Sequence, residues 1–91
     1  MCGIFGIHGN YFNDDNYLHD VKSFLENRGP DNYGILKLKS VETSFVHTRL
    51  SILELSKYGD QPMYSDTKNS ILVFNGEIYN HFELRKDINL K

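Results

Sequence analysis

A chain of 91 residues holds at most one small domain. At that length only about 60 to 65% of the unfolded surface is buried on folding, so its stability calls for more chain or a partner. Apolar residues at 40%, charged residues at 24%, six Tyr and six Phe exclude a disordered polymer. Ten Lys and Arg stand against twelve Asp and Glu without runs, which excludes a basic face for nucleic acid or acidic lipid and favours a small or neutral ligand.

The chain opens Met1-Cys2-Gly3-Ile4-Phe5-Gly6-Ile7, with its one cysteine directly behind the start methionine. One cysteine makes no internal disulfide. Neither a charged leader nor a long apolar span is seen in the sequence, so a cytoplasmic protein without membrane contact is expected. If Met1 is cleaved, Cys2 carries a thiol and a free α-amine on one residue, a nucleophile and a base within one side chain's reach. The plainer alternative is a small apolar residue that opens a buried strand.

From Gly3 the glycine-punctuated run to Gly9 predicts a buried strand to which another backbone comes close. Asn13-Asp14-Asp15-Asn16 offers helix N-caps, and Tyr17, Leu18, Val21, Phe24 and Leu25 follow at helical spacing. Arg28-Gly29-Pro30 must end that helix. Residues 33–38 and 41–53 read as antiparallel strands joined at Lys39-Ser40, and residues 56–69 as a loop. Ile71-Leu72-Val73-Phe74 reads as a strand covered on both faces. Asn80 and Glu83 have capping-box spacing, and Phe82, Leu84 and Ile88 follow a helical pattern, so strand, turn, helix is expected there. Such elements imply helices layered on sheets, but too few are present to complete the layers, which points to the opening portion of a larger domain.

His8, His19, His47 and His81 have no metal-ligand spacing; each is read as an ordinary polar residue, and no metal site is expected. Arg49 is harder to set aside: a guanidinium in an otherwise apolar strand is either solvated at an edge or grips a carboxylate through two hydrogen bonds. Asn75-Gly76-Glu77 puts a side-chain amide, an unencumbered N–H and a carboxylate at a strand end, and Arg28-Gly29-Pro30-Asp31 follows a helix stop. Turn chemistry alone also explains both.

Met-Cys-Gly-Ile-Phe-Gly-Ile, Arg-Gly-Pro-Asp at 28–31, His-Thr-Arg-Leu-Ser-Ile at 47–52, Gln61-Pro62-Met63 and Asn-Gly-Glu-Ile-Tyr-Asn at 75–80 occur in the order of one known family. The chain resembles the N-terminal glutaminase domain of class II glutamine amidotransferases. Leu50-Ser51-Ile52 after Arg49, and Glu77-Ile78-Tyr79-Asn80 after Gly76, make it similar to the asparagine synthetase branch. The resemblance implies an α+β fold, an incomplete N-terminal-nucleophile hydrolase αββα sandwich of antiparallel sheets covered by helices. Residues 1–91 would be the N-terminal part of that domain.

The resemblance also implies roles. Cys2, freed by loss of Met1, would attack the side-chain amide of L-glutamine, release ammonia and leave a thioester for water to hydrolyse. Asn75 by its side chain and Gly76 by its N–H would form the oxyanion hole. Arg49 would hold the α-carboxylate, Glu77 would meet the α-ammonium, and Leu50 and Ile52 would line the pocket with backbone. An aspartate for the α-ammonium, the remaining strands and an ATP-using synthetase domain would lie beyond Lys91, or the synthetase would be a separate chain. No cofactor is expected in this segment, and ATP and Mg belong to that synthetase. Asn27 departs from the histidine common before Arg-Gly-Pro-Asp. The competing expectation is a non-catalytic remnant or split-gene piece that binds glutamine or docks on another chain.

Overall fold

The computed structural model describes residues 2–51 and 57–88. Its centre is a three-stranded antiparallel sheet of β1 (Gly3–His8), β2 (Asn32–Leu38) and β3 (Thr43–Arg49), with β3 in the middle. Gly3 lies opposite Thr48 and His8 opposite Thr43. On the other side of β3, Asn32 lies opposite Arg49 and Leu38 opposite Thr43. Being paired on both edges, β3 is the most buried element, with Ser44, Val46, His47, Thr48 and Arg49 all inside.

The alternation of side chains along β3 divides the sheet into two faces. Ser44, Val46 and Thr48 face α1 (Asp15–Leu25): the Ser44 hydroxyl donates to the Phe12 carbonyl, and the Thr48 hydroxyl donates to the Leu25 carbonyl at 2.9 Å. The same face carries Lys37, paired with Asp15 at 2.7 Å, and Tyr33, whose ring lies under the Lys22 ammonium. Leu18, on the inner side of α1, is fully buried. The helix begins where expected, since Asp14 accepts the Tyr17 N–H at 3.0 Å as N-cap.

Past α1, the Arg28 and Gly29 N–H groups donate to the Leu25 and Glu26 carbonyls. The chain then runs against β3, where Pro30 forms a parallel bridge with Arg49. Gly29 is needed for that approach, because a Cβ there would overlap the Thr48–Arg49 peptide. The opposite face of β3, carrying His47 and Arg49, receives segments 57–62 and 71–75.

Several expectations are corrected. β1 is an edge strand with Ile4 exposed, not a buried one, because only β3 pairs with it. The link between β2 and β3 is a 3-10 turn over Lys39–Val41 followed by Glu42 in the left-handed region at φ 48°, longer than two residues. β3 ends at Arg49, and residues 52 and 53 of the expected strand lie outside the described residues. Within the expected loop, β4 (Met63–Tyr64) pairs antiparallel with β5 (Ile71–Leu72). β5 is therefore shorter than the apolar run and is not covered on both faces; Leu72 is 51% exposed, since a two-stranded ribbon gives it no second layer to enter. α2 (His81–Asp87) forms after Asn80, but Asn80 makes no side-chain cap. Phe82 on it is 72% exposed.

Antiparallel sheets and two helices make a mixed α+β architecture, in keeping with an incomplete αββα sandwich. No described helix is long and apolar enough to cross a membrane.

Candidate active site

Extending the register of β1 and β3 by one residue sets Cys2 level with Arg49, at the end of the central strand. There the chain turns away from the ladder, which leaves the next backbone groups free for other partners. The Leu50 N–H donates to the Cys2 sulfur at 3.4 Å, and the thiol lies 3.9 Å from the Leu50 carbonyl. Cys2 is half-buried and unbridged.

The Arg-Gly-Pro-Asp segment fastens this corner from the other side. Arg28 Nε donates to the Cys2 carbonyl at 3.3 Å. The Asp31 N–H donates to the Arg49 carbonyl at 2.9 Å, and the Asp31 carboxylate accepts the Ser51 N–H at 2.7 Å. The segment is thus a clasp on both Cys2 and the end of β3, more than a turn.

Arg49 is only 6% exposed, and one of its terminal nitrogens lies 2.6 Å from Asp60 Oδ1. A guanidinium so placed needs an anion or several acceptors, because an unanswered buried charge is costly. The Asn32 side-chain hydrogen bond, and then that of Arg49, hold the Asp60 carboxyl below its usual range, against the opposing effect of burial. The edge-solvated reading of Arg49 is excluded by its burial.

His47, two residues back on the same face, is wholly buried. Its Nε2 lies 3.3 Å from the Phe74 carbonyl. A carbonyl only accepts, so Nε2 carries the hydrogen and Nδ1 is the bare nitrogen, which has no partner among the described residues. Burial, and secondarily the Arg49 charge, lower the His47 pKa; the Phe74 carbonyl and Asp60 oppose that shift without cancelling it. The side chain is therefore a neutral donor.

Phe74 is held from two directions, since its N–H donates to Gln61 Oε1 as its carbonyl accepts from His47. Asn75, half-buried, and Gly76 and Glu77, both exposed, come directly after it. The Phe74 ring folds against Gly76, where an added Cβ would meet it at 3.1 Å. Among the described residues the Asn75 amide, the Gly76 N–H and the Glu77 carboxylate have no hydrogen-bond or ion-pair partner.

The structure thus brings Cys2, Arg49 and Leu50 together. It connects Asn75, Gly76 and Glu77 to the same face of β3 through Phe74 and His47, without a direct contact to the thiol. Ile52 lies outside the described residues. No cluster of metal-ligating side chains occurs among the described residues. Sequence reasoning missed two members of this face. His47, taken as an ordinary polar residue, is a core donor whose one signal was its place in an apolar run. Asp60 lay in an aperiodic stretch that carried none.

A family model described as a glutamine amidotransferase domain matches residues 1–91. The chain is 38% identical over 93 residues to the nodule glutamine-hydrolysing asparagine synthetase of Pisum sativum, covering 97% of this chain and 15% of that protein. It is 36% identical over 109 residues to a putative glutamine-hydrolysing asparagine synthetase of Methanocaldococcus jannaschii, covering 100% of this chain and 21% of that one. A third relative, the glutamine-hydrolysing asparagine synthetase of Sandersonia aurantiaca, is 39% identical over 93 residues, with 97% and 17% covered. The chain thus spans about a fifth or less of the length of these relatives. No solved structure gives a significant match.

Proposed function

The chain belongs to the glutamine amidotransferase domain family, and we propose that it is the N-terminal part of the glutaminase half of an asparagine synthetase-like enzyme, which frees ammonia from glutamine through a cysteine thioester. The observation that carries this reading is the half-buried Cys2 thiol within hydrogen-bond reach of Leu50, one residue past the buried Arg49. A nucleophile beside a cation shielded from water suits a substrate with a carboxylate at one end and an electrophile at the other.

The proposed sequence starts with loss of Met1. The α-amine of Cys2 takes the thiol proton, and the sulfur attacks the amide carbon of glutamine. With an α-amine pKa of about 7.7, roughly one-sixth is neutral at pH 7, whereas a retained Met1 would leave that nitrogen a non-basic amide. Negative charge then develops on the amide oxygen, where the Asn75 side chain and the Gly76 N–H donate; such donors are worth about 3 to 4 kcal/mol each in comparable acyl transfers. The amine returns its proton to the departing nitrogen, ammonia leaves, and water cleaves the thioester to give glutamate and free thiol.

Arg49 holds the α-carboxylate with its planar fork, and Glu77 answers the α-ammonium, so both charged ends of a free amino acid are met in a poorly hydrated pocket. Backbone of Leu50 lines that pocket. The ammonia passes to a synthetase domain that uses ATP and Mg and lies outside these 91 residues; the relatives' greater length and their names as asparagine synthetases support this division. A free thiol nucleophile fits the reducing cytoplasm.

The test is ammonia release from glutamine by the Met1-free chain and by a longer version continuing into the downstream sequence. Activity in either, lost in Cys2→Ala, is the expected result. No activity in either, with Met1 shown absent by intact mass, refutes the reading.

A further inference from the structure

We propose that His47 is a positioning residue for the oxyanion hole, fixing the Phe74–Asn75 peptide, and through the Phe74 ring Gly76, against the central strand that carries Arg49. This inference rests on the amidotransferase reading given above and adds to it a residue with no direct part in the chemistry.

The need for such a tether follows from where β5 ends. Its ladder with β4 stops at Leu72, so Val73, Phe74 and Asn75 leave the ribbon with no strand among the described residues to hold them. Backbone that must aim donors at a developing charge within a few tenths of an ångström cannot be left to a free turn. Both polar groups of Phe74 are instead taken by side chains from elsewhere: Gln61 Oε1 accepts its N–H, and His47 Nε2 donates to its carbonyl.

The two anchors differ in kind. Gln61 belongs to an irregular segment, whereas His47 sits on β3, hydrogen-bonded on both sides and fully buried. His47 therefore ties the oxyanion segment to the same rigid element that holds Arg49 two residues on, and whose end meets the Cys2 thiol. The Phe74 ring, packed against Gly76, extends the constraint by two residues. An added Cβ at Gly76 would meet that ring at 3.1 Å, so the ring would have to give by a few tenths of an ångström.

The bare Nδ1 fits this role. Protonation would bury an N–H with no acceptor among the described residues, beside the Arg49 cation, so the ring stays neutral with its hydrogen at Nε2, facing Phe74. The tautomer is thus locked by what surrounds the ring.

The experiment has one arm that needs no activity. In the ¹⁵N-labelled full chain, long-range ring correlations report which His47 nitrogen is protonated, and amide exchange reports protection of the Phe74 N–H, which donates to Gln61. The expected result is the Nε2–H form from about pH 7 to 8; an Nδ1–H form or a charged ring in that range overturns the proposal. His47→Gln, whose amide nitrogen reaches the place of Nε2, should keep exchange of the Phe74 N–H, which donates to Gln61, within about twofold of wild type, while His47→Leu should speed it more than tenfold. Equal exchange in both variants overturns the proposal, and if His47→Leu does not fold, the wild-type tautomer and His47→Gln still decide it.

In the glutaminase assay, His47→Leu should lower kcat about 10²-fold, comparable to removing one oxyanion donor, with glutamine KM within about twofold. His47→Gln should recover most of that loss. A change in KM at unchanged kcat contradicts the positioning role. Wild type inactive both as the Met1-free chain and in its longer version refutes the amidotransferase reading, while the tautomer and exchange arms still decide the tether.

Discussion

Replacing Asp60 with Asn removes the negative charge that faces Arg49 at 2.6 Å while keeping the size of the side chain and one acceptor oxygen. Breaking a fully buried ion pair costs about 3 to 5 kcal/mol, chiefly because the surviving charge is left unanswered. Here the cation is buried but the Asp60 side chain is 36% exposed, so solvent screens part of the interaction, and the Asn oxygen retains part of the hydrogen bond. A loss of about 1 to 2 kcal/mol is expected at neutral pH, which for a chain of this size lowers Tm by roughly 5 to 15 °C. The sign with pH follows from the depressed Asp60 pKa. The folded form binds its proton less readily than the unfolded form, so the stabilisation is full above the unfolded value of about 3.8 and is lost as pH falls through the lower folded value. Urea unfolding followed by circular dichroism, in wild type and Asp60→Asn from about pH 7 down to pH 3, reads both effects. The gap between the two proteins should be open at neutral pH and narrow in acid. Equal midpoints at neutral pH, or a gap unchanged into acid, would refute the claim that Asp60 answers the buried guanidinium.

Arg49→Lys should raise the glutamine KM far more than it disturbs folding, because an ammonium cannot reproduce the planar fork; an equal loss of thermal stability would count against its role at the carboxylate. Leu18→Ala, which empties a fully buried site between α1 and the sheet, should cost about 2 to 5 kcal/mol in the same urea assay, and a cost under about 1 kcal/mol would mean that α1 is not packed as described. The pKa of His47, lowered chiefly by burial, makes stability fall as pH drops from the unfolded value of about 6.5 towards the folded one; the Arg49 charge adds to the shift, and the Phe74 carbonyl and Asp60 oppose it. That slope should be absent in His47→Gln and present in wild type.

What the sequence disclosed depended on whether its signals were local. The start of α1 is written in Asp14 three residues before Tyr17, but its end is not where Gly29-Pro30 placed it: the helix stops at Leu25 with Glu26 right-handed as its cap, and Gly29 serves the close approach to β3 instead. The hairpin of β2 and β3 was legible from β-branched runs. The Ile71–Phe74 run misled, because four apolar residues fix neither how many neighbours a strand finds nor whether a second layer covers it; here only Ile71 and Leu72 pair. The capping spacing of Asn80 and Glu83 likewise marked a helix start without the side-chain bond, which depends on the backbone at Asn80. At the site, Cys2 and Arg49 stood out by chemistry out of place: a thiol at the terminus and a guanidinium in an apolar strand. The Asp60 partner of Arg49 and the Phe74 partner of His47 are separated from them by 11 and 27 positions, and pairings at such distance leave no local mark.

The central claim is that Cys2, once Met1 is removed, is a nucleophile served by its own α-amine. Its most direct test is intact-mass analysis of the chain, with and without Met1, after exposure to a diazoketone analogue of glutamine at about pH 7. The account predicts one adduct on Cys2 in the Met1-free form, slowed at least tenfold when Met1 is retained and absent in Cys2→Ala. Equal labelling of both forms, or no labelling of the Met1-free form, would contradict it.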